Sequence, residues 1–282
     1  MTNPLFLAAV VVLTPFAGGL IAGLDRKITA RLQGRFGPPV LQPFYDVFKL
    51  FGKQGTAINV WQVFCSYAYA VSALLSMILL VLGSDLLLIF FILTMGGAFL
   101  VMGALAAPSP YSQVGAHREL VLMLIYEPVL ILAFAGIFMV TGSFEASSIW
   151  ALDRPLLLEL PLIFIALTYA LTIKLRKSPF DISTSHHMHQ ELVRGVLTEY
   201  SGPFLALVEI GHWFEVVFLL ILCGMFWSTS WVGMAVVIGG TYLLELLLDN
   251  VTARLTWRWM LKYVWAVTLL LAVANLAMLS WL

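Results

Sequence analysis

Eight long apolar runs limit what this chain can become: residues 4–24, 61–82, 85–107, 120–141, 156–173, 204–227, 231–248 and 260–281. Most reach the roughly 20 residues that a helix needs to cross the hydrocarbon core of a bilayer. Inside lipid no water satisfies the backbone, so a spanning segment must be a helix or part of a closed barrel. The runs do not alternate apolar and polar side chains, which excludes a barrel. The expected fold is an all-α polytopic membrane protein with eight transmembrane helices. A charged fraction of 11% agrees, since soluble domains carry about 25%. The run 156–173 is short and contains Glu159 and Pro161, and 231–248 is barely long enough, so seven spans is the alternative. The N-terminus lacks a basic region and a small-residue cleavage pattern and reads as a retained first helix.

Charge is distributed as unevenly as hydropathy. With eight spans, loops 25–60, 108–119, 174–203 and 249–259 share one side. That side and its helix ends hold fourteen basic residues: Arg26, Lys27, Arg31, Arg35, Lys49, Lys53, Arg118, Lys174, Arg176, Lys177, Arg194, Arg254, Arg258 and Lys262; the other keeps Arg154 alone. Such asymmetry marks the cytoplasmic side and puts both termini outside. No loop is long enough for a soluble catalytic domain, so residues 1–282 are expected to form a single membrane domain. Cys65 and Cys223 lie far apart in apolar runs without ligand spacing, so neither a disulfide nor a cysteine-ligated cluster is expected.

The first internal loop reads LDRKITARLQGRFGPPVLQPFYDVFKLFGKQ. After the breakers Gly34, Gly37, Pro38 and Pro39, residues Val40, Leu41, Phe44, Val47, Phe48 and Phe51 recur at helical spacing. An amphipathic helix over 38–53 follows, lying in the membrane interface or against neighbouring protein. Arg31, Arg35, Asp46 and Lys49 make this loop a docking surface for a partner, or for anionic lipid; nothing points to nucleic acid. The next internal loop ends in the pair Arg118–Glu119, with Ser112 as a candidate cap for the following helix. Glu127 then lies one to two turns inside a span, before Pro128. An acid at that depth either pairs with a basic group such as Arg118 or faces a proton-carrying cavity.

Residues 174–215, KLRKSPFDISTSHHMHQELVRGVLTEYSGPFLALVEIGHWFE, carry the densest chemistry. The part over 174–203 is too polar to cross a bilayer and forms a large internal loop. Its His186, His187 and His189 beside Glu191 suggest a metal, but the spacing of a helical zinc motif is missing. Histidines that titrate near neutrality or meet a partner are the better reading. Beyond it, Glu209, His212 and Glu215 stand at i, i+3 and i+6, so neighbours share a helix face. Ionisable groups inside a span must face protein or water, and these form either a proton-exchanging path or polar glue between helices. Glu245, late in the seventh run, is a further candidate.

These pieces carry a family resemblance. RLQGRFGPPVLQPFYDVFKLFGKQ, GAHRELVLMLIYEP, SPFD, QELVRGVLTEYSGP and DNVTARL stand in the order, and with similar gaps, of the membrane-anchor subunit shared by respiratory complex I (its first, or H-type, membrane subunit) and the membrane-bound energy-converting [NiFe] hydrogenases. The resemblance spans essentially the whole chain. Quinone-reducing members resemble one another in an arginine–lysine–glycine–proline–asparagine run in the first loop and an acid-rich stretch after PFD. Here GRFGPP and ISTSHHMHQELV stand in those places, and the latter is most similar to the six-subunit Ech type. The resemblance implies a chain without catalysis of its own that joins an electron-transfer arm to an antiporter-like pump in the cytoplasmic (inner) membrane. It places Arg118, Glu119 and Glu127 in a charged cavity beside the partner interface, and Asp181, Glu191 and Glu199 in the loop facing the hydrogenase module. Glu209 and Glu215 continue inward, and Arg254 flanks the same region. The implied partners are hydrogenase large and small subunits, an iron–sulfur subunit and the pumping subunit, with ferredoxin as electron donor; the [NiFe] centre and iron–sulfur clusters belong to those partners. A quinone-site subunit of a complex I-like NADH:quinone oxidoreductase and a purely structural anchor are the alternatives.

Overall fold

Helix α1 does not stop where its hydropathy does. In the computed structural model, which describes residues 4–56, 59–177, 183, 194–253 and 255–281, it covers Pro4–Leu32. Arg26, Lys27 and Arg31 therefore continue a helix instead of opening a loop. Then come α2 (Gln42–Phe51), α3 (Val60–Val81), α4 (Leu86–Leu105), α5 (Pro110–Thr141), α6 (Ala146–Trp150), α7 (Leu156–Glu159), α8 (Pro161–Lys174), α9 (Gly202–Gly224), α10 (Trp231–Val251), α11 (Trp257–Val264) and α12 (Leu270–Trp281). The described residues form no strand, only an isolated bridge between Asp85 and Glu145. Among them, seven helices are long and apolar enough to cross a membrane, one joining α11 and α12 through a π turn. Their outward faces are apolar: Leu13, Phe91, Leu124, Val236 and Leu270 are all more than half exposed. In water each would forgo about 1.5–3 kcal/mol of burial; in lipid that cost vanishes. The chain is a multi-pass membrane protein.

Two expectations change. The fifth run is broken, because Pro161 lacks an N–H and Leu160 leaves helical geometry (φ −122°, ψ 48°), leaving α7 and the short α8. And α5 begins at Pro110, so most of the expected 108–119 loop is helical. Ser112 accordingly caps nothing: its Oγ donates to the Ala104 carbonyl at 2.9 Å.

Residues 1–78, 92–120 and 182–217 form one compact unit. In it α2 packs on α1 and α9: Phe44 lies 5.8 Å from Phe16 and 5.3 Å from Trp213, centroid to centroid, while Val47, Ala206 and Trp213 form a buried knot. Small residues on α1 allow that approach, since a Cβ on Gly19 would meet the Phe44 ring and one on Gly23 the Val40 carbonyl. Within the expected 38–53 segment, the helix itself is Gln42–Phe51; Pro43 and Val47 are buried and Tyr45 and Phe48 exposed.

Asp46, read from sequence as a docking residue, pairs within its own chain. It takes Arg26 at 2.7 Å and Gln42 Nε2 at 2.9 Å. Burial raises this carboxyl, but the hydrogen bonds from Arg26 and Gln42 and the charges of Arg26 and Lys49 outweigh it and hold it below the usual 3.8. A depressed carboxyl stabilises the fold above its unfolded value, and that contribution disappears as pH falls through the folded one. The pair's side chains are 48% and 43% exposed, so screening leaves it about 0.2–1 kcal/mol. Asp46→Asn should lower the thermal midpoint slightly at pH 7, and the difference from wild type should shrink as pH falls below the usual 3.8 and through the lower folded value.

Residues 79–91, 121–181 and 218–282 form the second unit. Here Phe164 packs on Phe226 at 5.1 Å and Phe90 on Phe134 at 6.2 Å. The broken helix is pinned by one side chain of α12. Leu162 N and Ile163 N donate to Asn275 Oδ1 at 2.9 and 3.1 Å, and Asn275 Nδ2 donates to the Glu159 carbonyl at 3.0 Å. The first N–H groups of α8, which have no partner in their own helix, thus receive a cap from another one. The π turn Trp265–Leu269 lies just upstream; one extra residue rotates everything after it by about 100° relative to α11.

Candidate functional site

Each unit buries its own set of ionisable groups. In the first, Glu215 of α9 is 3% exposed. Its Oε2 accepts a hydrogen bond from the Tyr69 hydroxyl of α3 at 2.9 Å and lies 3.8 Å from His212 Nδ1, one turn back. Gly211 makes room for Tyr69, since a Cβ there would stand 2.7 Å from Tyr69 Cε1. Tyr69 belongs to a polar stripe along a membrane-spanning helix: Gln62, Ser66, Tyr69, Ser72 and Ser76 are all buried. Their spacing of four, three, three and four residues follows one helix face. That periodicity was present in the sequence, but small hydroxyl residues do not disturb hydropathy enough to draw attention.

This arrangement can hold a proton and pass it. A buried carboxyl and a buried phenol are in hydrogen-bond contact, with a partly exposed imidazole one turn back. A hydrogen bond to a charged partner is worth about 1.5–3 kcal/mol. Tyr69→Phe should therefore destabilise by that amount, and a double-mutant cycle with Glu215→Leu, which removes the acceptor, should recover most of it as coupling. Zero coupling would show that the hydroxyl and the carboxyl do not meet.

The other candidates of this unit are spread out. Glu119 is buried at 5% exposure near the start of α5, beside the half-buried Arg118. Glu209 and Glu199 are half-buried and make no hydrogen bond or ion pair with the described residues. Arg31 and Arg35 are exposed, Arg31 over the Phe36 ring at 5.4 Å, and Lys49 is exposed on α2. Tyr200, next to Glu199, donates to the Leu100 carbonyl at 3.2 Å. Burial, with Cys65 adding to it, pushes its phenol upward, so it serves as a fixed donor. Asp181, His186, His187, His189, Glu191 and Arg254 lie outside the described residues.

In the second unit the acids come from α5 and α10 and the bases from α8 and the residues after it. Glu245 of α10 is fully buried and accepts from Thr172 Oγ1 at 3.3 Å. One turn on, Asp249 lies 3.8 Å from Lys177 Nζ. On α5, Glu127 follows Tyr126, whose hydroxyl accepts from Lys174 Nζ at 3.1 Å. Pro128 removes the backbone donor that the Leu124 carbonyl would otherwise take. Sequence reasoning found Glu127 and Glu245 but missed Tyr126, Thr172 and Lys174. Lys174 was assigned to a polar loop, and only packing shows it as the last residue of α8, 8% exposed. Among the described residues no group of three or more His, Cys, Asp or Glu side chains is placed to hold a metal ion.

Comparison with known proteins gives this geometry a lineage. The family model described as NADH dehydrogenase matches residues 5–280. The chain is 33% identical over 220 residues to hydrogenase-4 component C of Escherichia coli, covering 71% of this chain and 66% of that protein. It is 32% identical over 211 residues to formate hydrogenlyase subunit 4 of the same organism, covering 68% and 67%. Against the H subunit of NADH-quinone oxidoreductase from Syntrophotalea carbinolica it is 26% identical over 239 residues, covering 74% and 72%. The match thus spans about two thirds of the length of the two Escherichia coli relatives. A chain of the membrane-bound sulfane sulfur reductase, an archaeal respiratory membrane complex, superposes with a TM-score of 0.88 over 98% of both chains at 23% identity, which shows a shared fold. The chain belongs to the NADH dehydrogenase family, in the group of its H-type membrane subunits.

Proposed function

We propose that this chain is the membrane-anchoring and proton-coupling subunit of a ferredoxin-linked energy-converting [NiFe] hydrogenase. The observation that carries the reading is the pair of acid-bearing sets inside the helices, Glu215 with Tyr69 and His212, and Glu245 with Thr172, next to the Lys177–Asp249 and Lys174–Tyr126 contacts. Ionisable groups inside spans are expensive to keep and mark ion or proton routes. A relative named as a hydrogenase component, and a second named as a formate hydrogenlyase subunit, support the hydrogenase branch. In this reading the [NiFe] centre and the iron–sulfur clusters sit in partner subunits docked over α2 and the 174–203 loop. α7 and α8 together complete an eighth span, α2 lies at the cytoplasmic interface with Tyr45 and Phe48 turned outward, and both termini are outside. A charge change at a neighbouring cluster shifts the protonation of Glu199, Glu191 and Glu127, and the response passes laterally to an antiporter-like subunit. Low dielectric makes such coupling strong.

The test is Glu127→Gln and Glu199→Gln in the purified complex, reconstituted into liposomes, with hydrogen evolution and ion translocation measured together. Each variant should assemble and lose translocation by about tenfold or more, or lose turnover. Normal ion-to-hydrogen stoichiometry would sink the assignment. The second reading, a quinone-site subunit, is favoured by the match to the NADH-quinone oxidoreductase chain; inhibitor-sensitive quinone reduction by the same preparation would select it.

A further inference from the structure

Along the second half of α10 the polar side chains fall on one face. Thr241, Glu245 and Asp249 stand four residues apart, a spacing that keeps them in one row. Thr241 is 6% and Glu245 0% exposed. The end of α8 lies against this row. Thr172 Oγ1 is 3.3 Å from Glu245 Oε1 and 3.3 Å from the carbonyl oxygen of Thr168, one turn back on its own helix. An O–H···O bond is ordinarily about 2.7–2.8 Å long, so both distances fit one hydrogen shared between two acceptors. Glu245 Oε2 is buried and has no hydrogen-bond partner among the described residues. One turn further along α10, Asp249 lies 3.8 Å from Lys177 Nζ. The titratable groups within electrostatic reach of Glu245 are Asp249 of its own helix, Lys177 beyond α8 and Cys223 of α9.

A buried carboxylate needs donors for its lone pairs, and here a hydroxyl serves one oxygen while the other stands open. A proton on the open oxygen removes most of that cost. The row also sets a direction. At 1.5 Å per residue, Glu245 lies about 9 Å from the Val251 end of α10 and about 21 Å from the Trp231 end. Towards the Trp231 end the helix presents exposed apolar side chains, Trp231, Val232 and Val236; towards the Val251 end it presents Asp249 and its lysine. We propose that Glu245 is a proton-binding site loaded from the Asp249 end of α10, and that Thr172 is the residue that positions its carboxyl. In loading, a hydronium ion gives one proton to Oε2 and leaves as water. The carboxylate becomes a carboxylic acid, and no electron moves. The Thr172 hydrogen serves Oε1 while the group is charged and turns to the Thr168 carbonyl once it is neutral. The hydroxyl thus follows the charge by rotating its own O–H bond. This rests on the function proposed above, which puts the Asp249 end at the cytoplasm.

Infrared difference spectra of the purified complex, taken through a pH titration, read the carboxylic acid directly and need no ion transport. The carbonyl-stretch band of Glu245 is the one that should be missing in Glu245→Gln. Thr172→Val keeps the branched shape and deletes the hydroxyl, so the charged form loses its donor. The titration of that band should then be displaced to higher pH by about one unit. Thr172→Ser keeps a hydroxyl at the same place and should restore the wild-type titration. A Glu245→Gln spectrum that lacks no band overturns the proton site. An unmoved titration in Thr172→Val, or a serine variant that titrates like the valine one, overturns the positioning role. A band that behaves as expected in a wild-type complex that translocates no ions upholds the proton site and overturns the function proposed for the chain. Should Glu245→Gln fail to assemble, Glu245→Asp keeps the acid on a shorter arm and should shift the band, and an unshifted band overturns the proposal.

Discussion

Asn275→Leu should cost about 3–6 kcal/mol, the largest loss expected from one substitution in this chain, as it strands three backbone groups at about 1–3 kcal/mol each with partial relaxation. Those groups are Leu162 N, Ile163 N and the Glu159 carbonyl. In a soluble protein water could reach the opened corner; beside lipid it cannot, and unsatisfied backbone is what membrane folds avoid. Leucine fits the volume, so lost packing does not explain a loss of that size. Asn275→Asp is the control. It keeps an oxygen for the two N–H groups at the start of α8, where the helix dipole favours negative charge, and gives up only the donor to Glu159. It should lose about half as much. Thermal stability of the detergent-purified protein reads both variants. An Asn275→Leu protein as stable as wild type would mean that the break in α7–α8 closes without its pin.

The second large effect is expected at Gly115→Ala, and there two principles predict opposite signs. In a helix interior alanine is better than glycine by about 1 kcal/mol. Against that, an added Cβ would stand 2.5 Å from the Gly195 carbonyl carbon and 2.7 Å from its Cα. These are backbone atoms of a turn with little freedom to yield. Val196 N donates to Ser183 O at 3.1 Å, Leu197 N to Arg194 O at 2.8 Å and Thr198 N to Gly195 O at 3.1 Å. Arg194 already holds a left-handed conformation at φ 62°, and a Cβ on Gly195 would strike the Ser183 carbonyl. Overpacking against rigid backbone costs about 3 kcal/mol, so the clash outweighs the propensity gain and the variant should be destabilised by about 2 kcal/mol. The displaced turn carries Glu199, so under the function proposed above ion coupling in the assembled complex should fall as well. A more stable Gly115→Ala protein would show that the turn moves freely.

Both predictions concern features that hydropathy could not reveal. The fifth apolar run carried its own warning, Glu159 and Pro161, and proline chemistry alone foretells a break. Nothing local to that run says that a residue 112 or 113 positions away closes it. The i, i+3 relation of His212 and Glu215 was legible because helix geometry fixes it; the distance of 3.8 Å matches. Tyr69, 146 positions from Glu215, was not legible. A tyrosine in an apolar run looks like any other aromatic until its neighbours are known. Lys174 was misread for the opposite reason. Its neighbours in sequence, Arg176 and Lys177, are basic, and a window of local polarity gave it to the loop.

The sequence by itself determined the membrane class, most of the spans, the uneven placement of basic residues and the family. Each depends on properties that add along the chain, such as hydropathy over about 20 residues, charge per loop, and motifs in order. Tertiary structure alone decided which hydroxyl meets which carboxyl, that Asn275 pins the broken helix, and that Lys174 is buried beside Tyr126. Those outcomes depend on which helix faces pack together. Helix periodicity fixes a side chain's face on its own helix, but its partner across the interface is set only when close packing chooses one fit among many.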